Sequence, residues 1–573
     1  MTRRESSGSG AGPDDVLGSG AGEIARAMRA LGVIRVFGVC GDHVNTLYRA
    51  CFLNGIEIIG VRSESAAVQM ADGLARATGF PGVAIVTGGP GHTNAVTGMA
   101  VAQSAASPVV VLSGLTPISQ RERGGQQVLH QADIVRTVTK QAIEAPDAAH
   151  LAETVARAFR IACAPTPGPV SLSIPVDVLA APASAQGRGY AVRPMSLAGC
   201  EWTALDHRGL DAAADSIARA ERPCLVVGSG AWPAFAGAAL QDAVLRSGLP
   251  AFTIDQARGL VPDDGKSGFG YADPIFNRAF REVRRSDVVV LLGAHLDFHT
   301  CFGGEQLLDP ACAVVQIHAD AARIGMCRAS DISLEGPVRP LFEALASRLE
   351  QLRESDRHAR WRAELELAFA AGKAEWARQL RELPPGSGIH PLQVCASLAR
   401  HVHERSAIMI DGGDFVHWPR AYFSALRPGH WMDAVLMGNL GGALPLGIGA
   451  QLAFPDDPVW IFTGDGGFGF YSWELATAVE RGLPIKVILG NDSAWGIEKR
   501  LQLDEYGEDV GCNLPYARYD RFAELVGARG FHVDSPDQLD GALDAMAAER
   551  GPCLLNVDIR RLCGRPLTDF PRY

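Results

Sequence analysis

The sequence predicts an α/β protein with three α/β domains, each built on a parallel sheet. From about residue 22, helical segments alternate with short apolar, β-branched runs, the pattern of parallel strands covered by helices. The length of 573 residues suggests three or four domains. Two stretches, PASAQGRGYAVRP after Ala181 and LPPGSG after Glu382, have the composition of linkers and divide the chain into three blocks.

These linkers set the expected domain boundaries. Residues 1–17 read as a flexible Ser/Gly-rich tail, because they contain no apolar core that would indicate a signal peptide. The first domain is expected over residues 18–185, the central domain over 206–350 and the third domain over 389–573.

Composition excludes several classes of protein. Apolar residues make up 47 % and charged residues 20 %, which argues against a mainly disordered chain. A net charge of −11 argues against a general nucleic-acid surface, though not against a local anion site. No apolar run approaches the 18 or so residues of a membrane span. The 12 cysteines form no C-x-x-C pair, so we expect reduced thiols in a cytoplasmic protein.

The first and third blocks correspond to each other. VAIVTGGPG precedes a helix and SPVVVLSG, while VWIFTGDGG precedes a helix and LPIKVILG. The separation from Thr87 to Pro108 is 21 residues, and that from Thr463 to Pro484 is also 21. Either βαβ geometry produces this coincidence, or the chain contains two related α/β domains that could sandwich one ligand.

A Gly-Asp-Gly turn is the sharpest local signal. Gly464, Asp465 and Gly466 follow a predicted strand at Val459–Phe462, and 24 residues separate them from Asn491 at the end of the next strand. Glycine N–H groups before a helix suit a phosphate, and carboxylate and amide oxygens beside phosphate suit Mg²⁺. Ligands of parallel sheets bind at this carboxyl edge.

GDG-x24-N resembles the motif of thiamine-diphosphate enzymes, in the superfamily of acetolactate synthase, benzaldehyde lyase and 2-hydroxyacyl-CoA lyase. The resemblance covers about residues 20–570. It implies a pyrimidine-binding domain, a central Rossmann-like domain and a diphosphate-binding domain, with the cofactor held between subunits. It also implies that Mg²⁺ is held by Asp465, the Asn491 side chain and the Ser493 carbonyl, and that the cofactor contacts Glu64, Gly413, Leu440, Gly464, Asp465, Gly466, Gly467 and Asn491.

The first block carries the family's glutamate. RSESAAVQMADGLARATG resembles the family's RHE-x-x-A segment, which implies that Glu64 hydrogen-bonds the aminopyrimidine and promotes proton removal from the thiazolium. Read alone, Glu64 would be a first-turn helix charge. GGPGHTNAVTG resembles the family's GPG-x-TN turn, and Leu440 stands where the family places an apolar residue beneath the cofactor rings, although it also suits an ordinary core.

The presence of His43 helps to distinguish a lyase reaction from a synthase reaction. FGVCGDHVNTLY resembles the G-x-H turn of benzaldehyde lyase and of the 2-hydroxyacyl-CoA lyases, whereas acetohydroxyacid synthases usually lack this histidine. A histidine there can move the hydroxyl proton of the substrate, although a single histidine is more often structural. Gln127, counted back from Lys140, matches a family glutamine that could bind a substrate oxygen; Gln126 is its rival.

Two further segments depart from the synthases. In DGGDFVHW, Asp414 takes the place of a neutral donor near the diphosphate, which leaves the diphosphate contacts open. NDSAWGIEK resembles the lyases, so that Trp495 and Ile497 either line the substrate pocket or pack a lid. The G-x-G at Gly228–Gly230 is a weak dinucleotide signal, and we expect no FAD.

We therefore expect a cytoplasmic enzyme that uses thiamine diphosphate and Mg²⁺. Its reaction is the making or breaking of carbon–carbon bonds in 2-hydroxy carbonyl, 2-oxo acid or aldehyde substrates. The alternatives are an acetolactate synthase, a simple 2-oxo acid decarboxylase and a catalytically silent paralogue. The expected partners are a small-molecule substrate and further copies of the chain, in a homodimer or homotetramer, with no nucleic acid and no membrane.

Overall fold

The computed structural model describes residues 12–183, 205–235, 240–352, 357–383 and 388–565. The chain forms two compact units. Among the described residues, the first unit comprises 12–75, 80–103 and 107–183, and the second comprises 76–79, 104–106 and the residues from 205 onward. The first unit contains one six-stranded sheet and the second contains two.

The first sheet is parallel, with the strand order β2-β1-β3-β4-β6-β5. Every residue of its strand β4 is buried, as expected for a parallel strand with helices on both faces. Its strands are β1 (Arg35–Gly38), β2 (Glu57–Gly60), β3 (Gly82–Val86), β4 (Val109–Leu115), β5 (Gln141–Glu144) and β6 (Val170–Pro175).

The helices of this part of the chain cover the sheet with apolar faces. Among them, α2 and α8 bury alanine, leucine and isoleucine side chains in one core with β3 and β4. The helices are α1 (Pro13–Leu17), α2 (Gly20–Leu31), α3 (Asn45–Leu53), α4 (Glu64–Thr78), α5 (Pro90–Asn94), α6 (Val96–Ser104), α7 (Gln131–Val135), α8 (Leu151–Cys163) and α9 (Val176–Ala180).

Helix α1 corrects the prediction of a flexible tail over residues 1–17. Pro13 occupies the first turn, where its missing N–H costs nothing, and Val16 is buried in the core of the first unit. Residues 13–17 of the predicted tail are therefore helical, and residues 1–11 lie outside the described residues.

The central sheet has a different order, β12-β11-β10-β7-β8-β9, and is also parallel. In order of sequence this is 6-5-4-1-2-3, the arrangement of dinucleotide-binding folds. Its strands are β7 (Pro223–Val227), β8 (Ala251–Thr253), β9 (Gly268–Tyr271), β10 (Val288–Leu292), β11 (Ala313–His318) and β12 (Ile332–Glu335). The helices are α10 (His207–Arg219), α11 (Trp232–Phe235), α12 (Leu240–Ser247), α13 (Val338–Leu352) and α14 (Ala359–Arg381).

The third sheet is parallel, with the order β14-β13-β15-β16-β18-β17. Its strands are β13 (Ala407–Ile410), β14 (Trp431–Asp433), β15 (Val459–Gly464), β16 (Lys486–Asn491), β17 (Arg529–Val533) and β18 (Cys553–Asp558). The helices are α15 (Pro391–Leu398), α16 (Asp414–Tyr422), α17 (Ala443–Ala453), α18 (Asp465–Tyr471), α19 (Glu474–Glu480), α20 (Gly496–Tyr506), α21 (Tyr519–Leu525) and α22 (Pro536–Ala548).

The first and third sheets have the same topology. Numbered within each sheet, both read 2-1-3-4-6-5. The correspondence seen in sequence therefore extends over all six strands, which supports two related domains rather than a coincidence of one βαβ unit. The three parallel sheets confirm the predicted fold class, and they lie within the three expected domains, although the exact domain boundaries stay a prediction.

Within the described ranges, no helix has both the length and the apolar composition that crossing a membrane requires.

Candidate active site

The strand order reverses direction between the first and third strands of each related sheet. In the first sheet this point lies between the ends of β1 and β3, and in the third sheet between the ends of β13 and β15. Open α/β sheets bind ligands at such points, beyond the carboxyl ends of the strands. The predicted catalytic residues of the first unit and the Gly-Asp-Gly turn of the second each lie at one of them.

Glu64 is the first residue of α4 and is buried, with 8 % of its surface exposed. Its Oε2 accepts a hydrogen bond of 3.1 Å from the Asn94 side chain. The carboxylate lies near Gly91, since a Cβ added to that glycine would be 3.2 Å from Glu64 Oε1. Glu64 is thus held from one side by α5 and is not an exposed first-turn charge.

The turn at residues 88–91, which we name the glycine turn, brings the three predicted catalytic side chains together. A Cβ added to Gly88 would lie 3.1 Å from His43 Nδ1, and one added to Gly89 would lie 2.6 Å from Gln127 Cβ. With Gly91 beside Glu64, all three side chains surround this turn. Only glycine leaves room for them, which explains the Gly-Gly-Pro-Gly sequence.

His43 lies in the loop between β1 and α3, in a buried position. Burial lowers its pKa below the ordinary value of 6.5, against the opposing effects of Asp42 and of a hydrogen bond with the Gln127 side chain. Thr87 Oγ1 is 3.4 Å from Nδ1. The imidazole is therefore neutral near pH 7 and can accept a proton. Gln127, with φ of 60°, adopts a left-handed conformation that is uncommon for a non-glycine residue.

In the second unit, a cavity of about 380 Å³ lies at the equivalent edge of the third sheet. It is lined by glycines of three loops, by Asp465 and Leu440, and by Trp495 and Ile497. The glycines include Gly413, Gly464, Gly466 and Gly467. The volume is in the range of sites for small molecules and cofactors.

Asp465 begins α18, at the end of β15. Burial and, to a smaller extent, the charge of the neighbouring Asp492 raise its pKa to about 7, against backbone hydrogen bonds that include one from Ser493. Its Oδ2 is buried, and within the described part of the chain no donor reaches it. A buried carboxylate oxygen without a partner is costly, so this oxygen fits a cation.

Asn491 and Ser493 complete the predicted donor set. The Asn491 amide nitrogen donates to the Ala517 carbonyl at 2.9 Å and to Asn556 Oδ1 at 3.1 Å. These bonds fix the side chain. Its Oδ1 accepts a long hydrogen bond of 3.5 Å from Ser493 Oγ and keeps a second lone pair for a further contact. Ser493 has φ of 55°, and its carbonyl accepts one backbone hydrogen bond, from Leu514 at 2.9 Å, which leaves a second lone pair. These hard oxygen donors fit Mg²⁺.

Asp411 is a site residue that the sequence analysis did not single out. It follows β13 and is buried, which raises its pKa to about 6. It accepts hydrogen bonds from Thr463 Oγ1 at 2.6 Å, from the Gly412 N–H at 2.9 Å and from the Gly441 N–H at 2.7 Å. Asp411 thus joins the loops after β13 and β15 to the loop that carries Leu440. In the sequence, the only indication of this role was the position of Asp411 at the end of a strand.

The Leu440 side chain packs over the loop after β13. A Cβ added to Gly412 would lie 2.6 Å from Leu440 Cδ2, and both residues line the cavity. Leu440 is therefore a wall of the cavity rather than part of the sheet core, and its place beneath the cofactor rings stays a prediction.

The negative charge of the Asp414 side chain is balanced by two nearby groups. Its Oδ1 accepts a hydrogen bond from the Gly564 N–H at 3.2 Å and lies 3.5 Å from Arg500 Nη2. Gly413, with φ of 113°, caps α16 and presents its backbone to the cavity. The start of this helix can thus approach an anion through main-chain N–H groups, despite the carboxylate at its first position.

Trp495 packs against the Gly-Asp-Gly turn. A Cβ added to Gly466 would lie 2.4 Å from its indole ring, and its ring centroid is 6.3 Å from that of Phe470. Ile497 lies nearby in the cavity wall at the start of α20. Both residues therefore line the cavity, and whether they contact substrate stays a prediction.

In the central sheet, the loops at the point where the strand order reverses pack directly against each other. The Gly230 N–H after β7 donates to the Gly293 carbonyl after β10 at 2.8 Å, and a Cβ added to Gly228 would lie 2.7 Å from Ala294 Cα. These loops are in direct contact where a dinucleotide would pass. The absence of FAD nevertheless stays a prediction.

The three sheets match three family models. Residues 19–134 match the N-terminal thiamine pyrophosphate (TPP) binding domain of thiamine pyrophosphate enzymes, residues 210–345 their central domain, and residues 411–557 their C-terminal TPP binding domain. The chain belongs to the thiamine pyrophosphate enzyme family, in the superfamily of acetolactate synthases and 2-hydroxyacyl-CoA lyases.

Relatives with different activities are similar to the chain at comparable levels. The acetolactate synthase large subunit IlvG of Mycobacterium tuberculosis is 31 % identical over 93 % of this chain and 94 % of its own. Human 2-hydroxyacyl-CoA lyase 2 is 30 % identical over 96 % and 90 %. The probable 2-ketoarginine decarboxylase AruI of Pseudomonas aeruginosa is 31 % identical over 95 % and 94 %. Identity therefore establishes a thiamine-diphosphate-dependent enzyme without selecting the reaction.

Proposed function

We propose that this protein is a thiamine-diphosphate- and Mg²⁺-dependent carbon–carbon lyase or carboligase that acts on 2-hydroxy carbonyl, 2-oxo acid or aldehyde substrates. The observation that carries the proposal is the placement of a neutral His43 against the same glycine turn as Glu64. Of the groups around this turn, His43 is the one suited to exchange a hydroxyl proton near neutral pH.

The proposed metal site consists of the Asp465 carboxylate, the Asn491 amide oxygen and the Ser493 carbonyl. The unpartnered Asp465 Oδ2 and the fixed Asn491 amide support it. Within the described residues, no cluster of three or more His, Cys, Asp or Glu side chains forms a different metal site. The remaining ligands of Mg²⁺ would come from phosphate oxygens and water, as is usual for this ion.

When bound, thiamine diphosphate supplies a carbon nucleophile for the substrate carbonyl. The protein's part is to hold and move protons around it. Glu64 would present its carboxylate to the aminopyrimidine, His43 would take or return the substrate hydroxyl proton, and Gln127 would donate a hydrogen bond to a substrate oxygen. Leu440 would give the rings an apolar support. The main chain of Gly413, Gly464, Gly466 and Gly467 would hold the diphosphate.

An acetolactate synthase is the second candidate, supported by the relative from Mycobacterium tuberculosis. A simple 2-oxo acid decarboxylase follows, supported by AruI. A silent paralogue is disfavoured because Glu64, Asp465 and Asn491 are all present. The cytoplasmic location expected from the sequence stays a prediction.

The proposed function is tested by incubating the loaded protein with a panel of 2-hydroxyacyl-CoAs, 2-hydroxy ketones, aldehydes and 2-oxo acids. We expect mass spectrometry to show cleavage or joining of a carbon–carbon bond with an aldehyde product or acceptor. Exclusive formation of acetolactate from pyruvate would instead identify a synthase, and release of CO₂ and aldehyde alone would identify a decarboxylase.

Replacing His43 by alanine should lower product turnover by roughly a hundredfold, a usual loss for a general acid–base residue. Hydrogen–deuterium exchange at C2 of the bound cofactor should stay fast, because that step depends on Glu64. Both rates are to be measured on one preparation. His130→Ala, in the same unit, is the control for loss of a histidine. Unchanged turnover per cofactor-loaded site would remove the reason for preferring a lyase.

The pH dependence of turnover follows from the pKa of His43. Since burial lowers this pKa from 6.5, the neutral base is present above the lowered value and is lost as the pH falls through it. We therefore expect turnover to decrease on the acid side, with a midpoint below pH 6.5. The residual activity of His43→Ala should lack this acid limb. Persistence of the limb in the variant would assign it to another group.

We further propose that the active unit is a homodimer or homotetramer in which Glu64 and Asp465 of one site belong to different chains. The resemblance to the family suggests this arrangement, and an apolar rim supports it. Leu436, Met437 and Phe470, near the cavity of the second unit, are about half exposed, between 45 % and 57 %. Such a rim is typical of a surface that another copy covers.

Mixing inactive Glu64→Gln and Asp465→Ala subunits should restore part of the activity, because a hybrid dimer would contain one site with both residues intact. Activity is measured after the two variants are unfolded and refolded together, with each variant refolded alone as the control. An active monomer in sedimentation experiments would contradict the proposed assembly.

A further inference from the structure

Gln131 is a buried glutamine at the start of α7, and the function proposed above gives it no role. Its side chain is 1 % exposed and makes three hydrogen bonds. Oε1 accepts from the Gly89 N–H at 2.9 Å, while Nε2 donates to the Gly114 carbonyl at 3.0 Å and to Ser173 Oγ at 3.1 Å. One amide therefore joins the glycine turn to the ends of β4 and β6.

The groups that Gln131 binds are those against which the catalytic side chains pack. Gly89 is in contact with Gln127, as shown by the 2.6 Å that would separate an added Cβ from Gln127 Cβ. Gly114 is in contact with His43, since its added Cβ would lie 2.4 Å from His43 Cβ. A movement of the glycine turn away from β4 would thus change the spacing of His43 and Gln127.

The backbone of Gln131 is itself fixed by His92. His92 Nε2 lies 3.0 Å from the Gln131 carbonyl and Nδ1 lies 2.8 Å from Ser113 Oγ. Since a carbonyl only accepts, Nε2 is the donor. Burial lowers the pKa of His92 to about 4, so the ring is neutral and Nδ1 accepts from Ser113. His92 therefore anchors the start of α7 to β4.

We propose that Gln131 is a positioning residue, whose amide holds the glycine turn at the distance from β4 at which His43 and Gln127 cooperate. The inference rests on the proposed role of His43. Within the described part of the chain, Gln131 forms no hydrogen bond with the side chain of His43 or Gln127, so its effect passes through Gly89 and Gly114.

The test compares Gln131→Met, which keeps the length of the side chain and removes its polar atoms, with Gln451→Met. Gln451 is an equally buried control in the second unit, with hydrogen bonds to the carbonyls of Phe454 and Asp457. The pKa of His43 is measured in the cofactor-loaded protein, without substrate, from the pH dependence of deuterium exchange at its imidazole C2, followed by peptide mass spectrometry.

We expect Gln131→Met to move the midpoint of His43 exchange and to lower turnover by roughly tenfold to a hundredfold, as small displacements of catalytic groups do. Gln451→Met should change neither. If Gln131→Met does not fold, Gln131→Asn carries the same comparison.

An unchanged His43 midpoint in Gln131→Met, or in Gln131→Asn where that variant replaces it, would overturn the proposal. The exchange measurement needs no substrate, so it stands apart from the test of the lyase reaction. A shifted midpoint in a protein that lacks lyase activity would contradict the proposed function and leave the positioning role supported.

Discussion

Replacing Glu64 by glutamine is expected to lower turnover at least about a hundredfold, the low end for removal of a general acid–base group, while the cofactor still binds. The variant should fold normally, because the Asn94 side chain, which donates to Glu64 Oε2 at 3.1 Å, can donate equally to a glutamine oxygen. What the variant lacks is the ionisable carboxylate. Turnover and C2 exchange of the bound cofactor should therefore fall together.

The matched control is Glu23→Gln. Glu23 is a second buried glutamate of the first unit, 3 % exposed against 8 % for Glu64. The Glu23→Gln substitution should change the stability of the protein without changing the rate of hydrogen–deuterium exchange at C2 of the bound cofactor. If Glu64→Gln retained wild-type turnover, the carboxylate would be a structural element of α4, and the catalytic assignment of this glutamate would fail.

Removal of the metal and cofactor is expected to abolish activity completely. Protein stripped with EDTA should regain activity only when Mg²⁺ and thiamine diphosphate are both added, since the proposed metal links Asp465 and Asn491 to the diphosphate. Binding should also raise the melting temperature, because a ligand at about a hundred times its Kd stabilises the folded state by about 2.7 kcal/mol. Calorimetry that detects no binding would refute the cofactor site in this chain.

Asp465→Asn separates the metal site from general stability. Because burial raises the pKa of Asp465 to about 7, the ionised carboxylate destabilises the cofactor-free fold, most fully above that pH. We expect the variant to melt at the same or a higher temperature at pH 8 without ligands, yet to show no stabilisation by Mg²⁺ and cofactor. Asp520→Asn, at a buried aspartate paired with Arg518, should keep the ligand-induced shift.

Most of the architecture could be predicted from the sequence, because strands that are buried on both faces of a parallel sheet appear in the sequence as continuous apolar runs. The strand predicted at Val459–Phe462 extends to Gly464, and Asn491, predicted at the end of the next strand, is the last residue of β16. The single helix expected after VWIFTGDGG is in fact two helices. The first of them, α18, begins directly at Asp465, because the glycines of the turn adopt helical geometry as soon as the strand ends.

The positions of the candidate metal ligands could be predicted because these residues stand close together in sequence, at the ends of two consecutive strands. Asp465, Asn491 and Ser493 lie at two adjacent strand ends, and the structure brings them to one edge. Asp411 and Gln131 were missed because their roles depend on hydrogen bonds between distant segments. No local pattern distinguishes a buried glutamine at a helix start from an ordinary one.

The common strand order of the first and third sheets bears on the history of this chain. In both, a threonine near the carboxyl end of the third strand contacts a side chain that follows the first strand: Thr87, just after β3, lies 3.4 Å from His43, and Thr463, within β15, donates to Asp411 at 2.6 Å. This is the pattern expected from duplication of one ancestral gene segment. The two copies then diverged in the loops after their first strands, where one carries the buried His43 and the other the Asp411 carboxylate, which accepts hydrogen bonds from neighbouring segments.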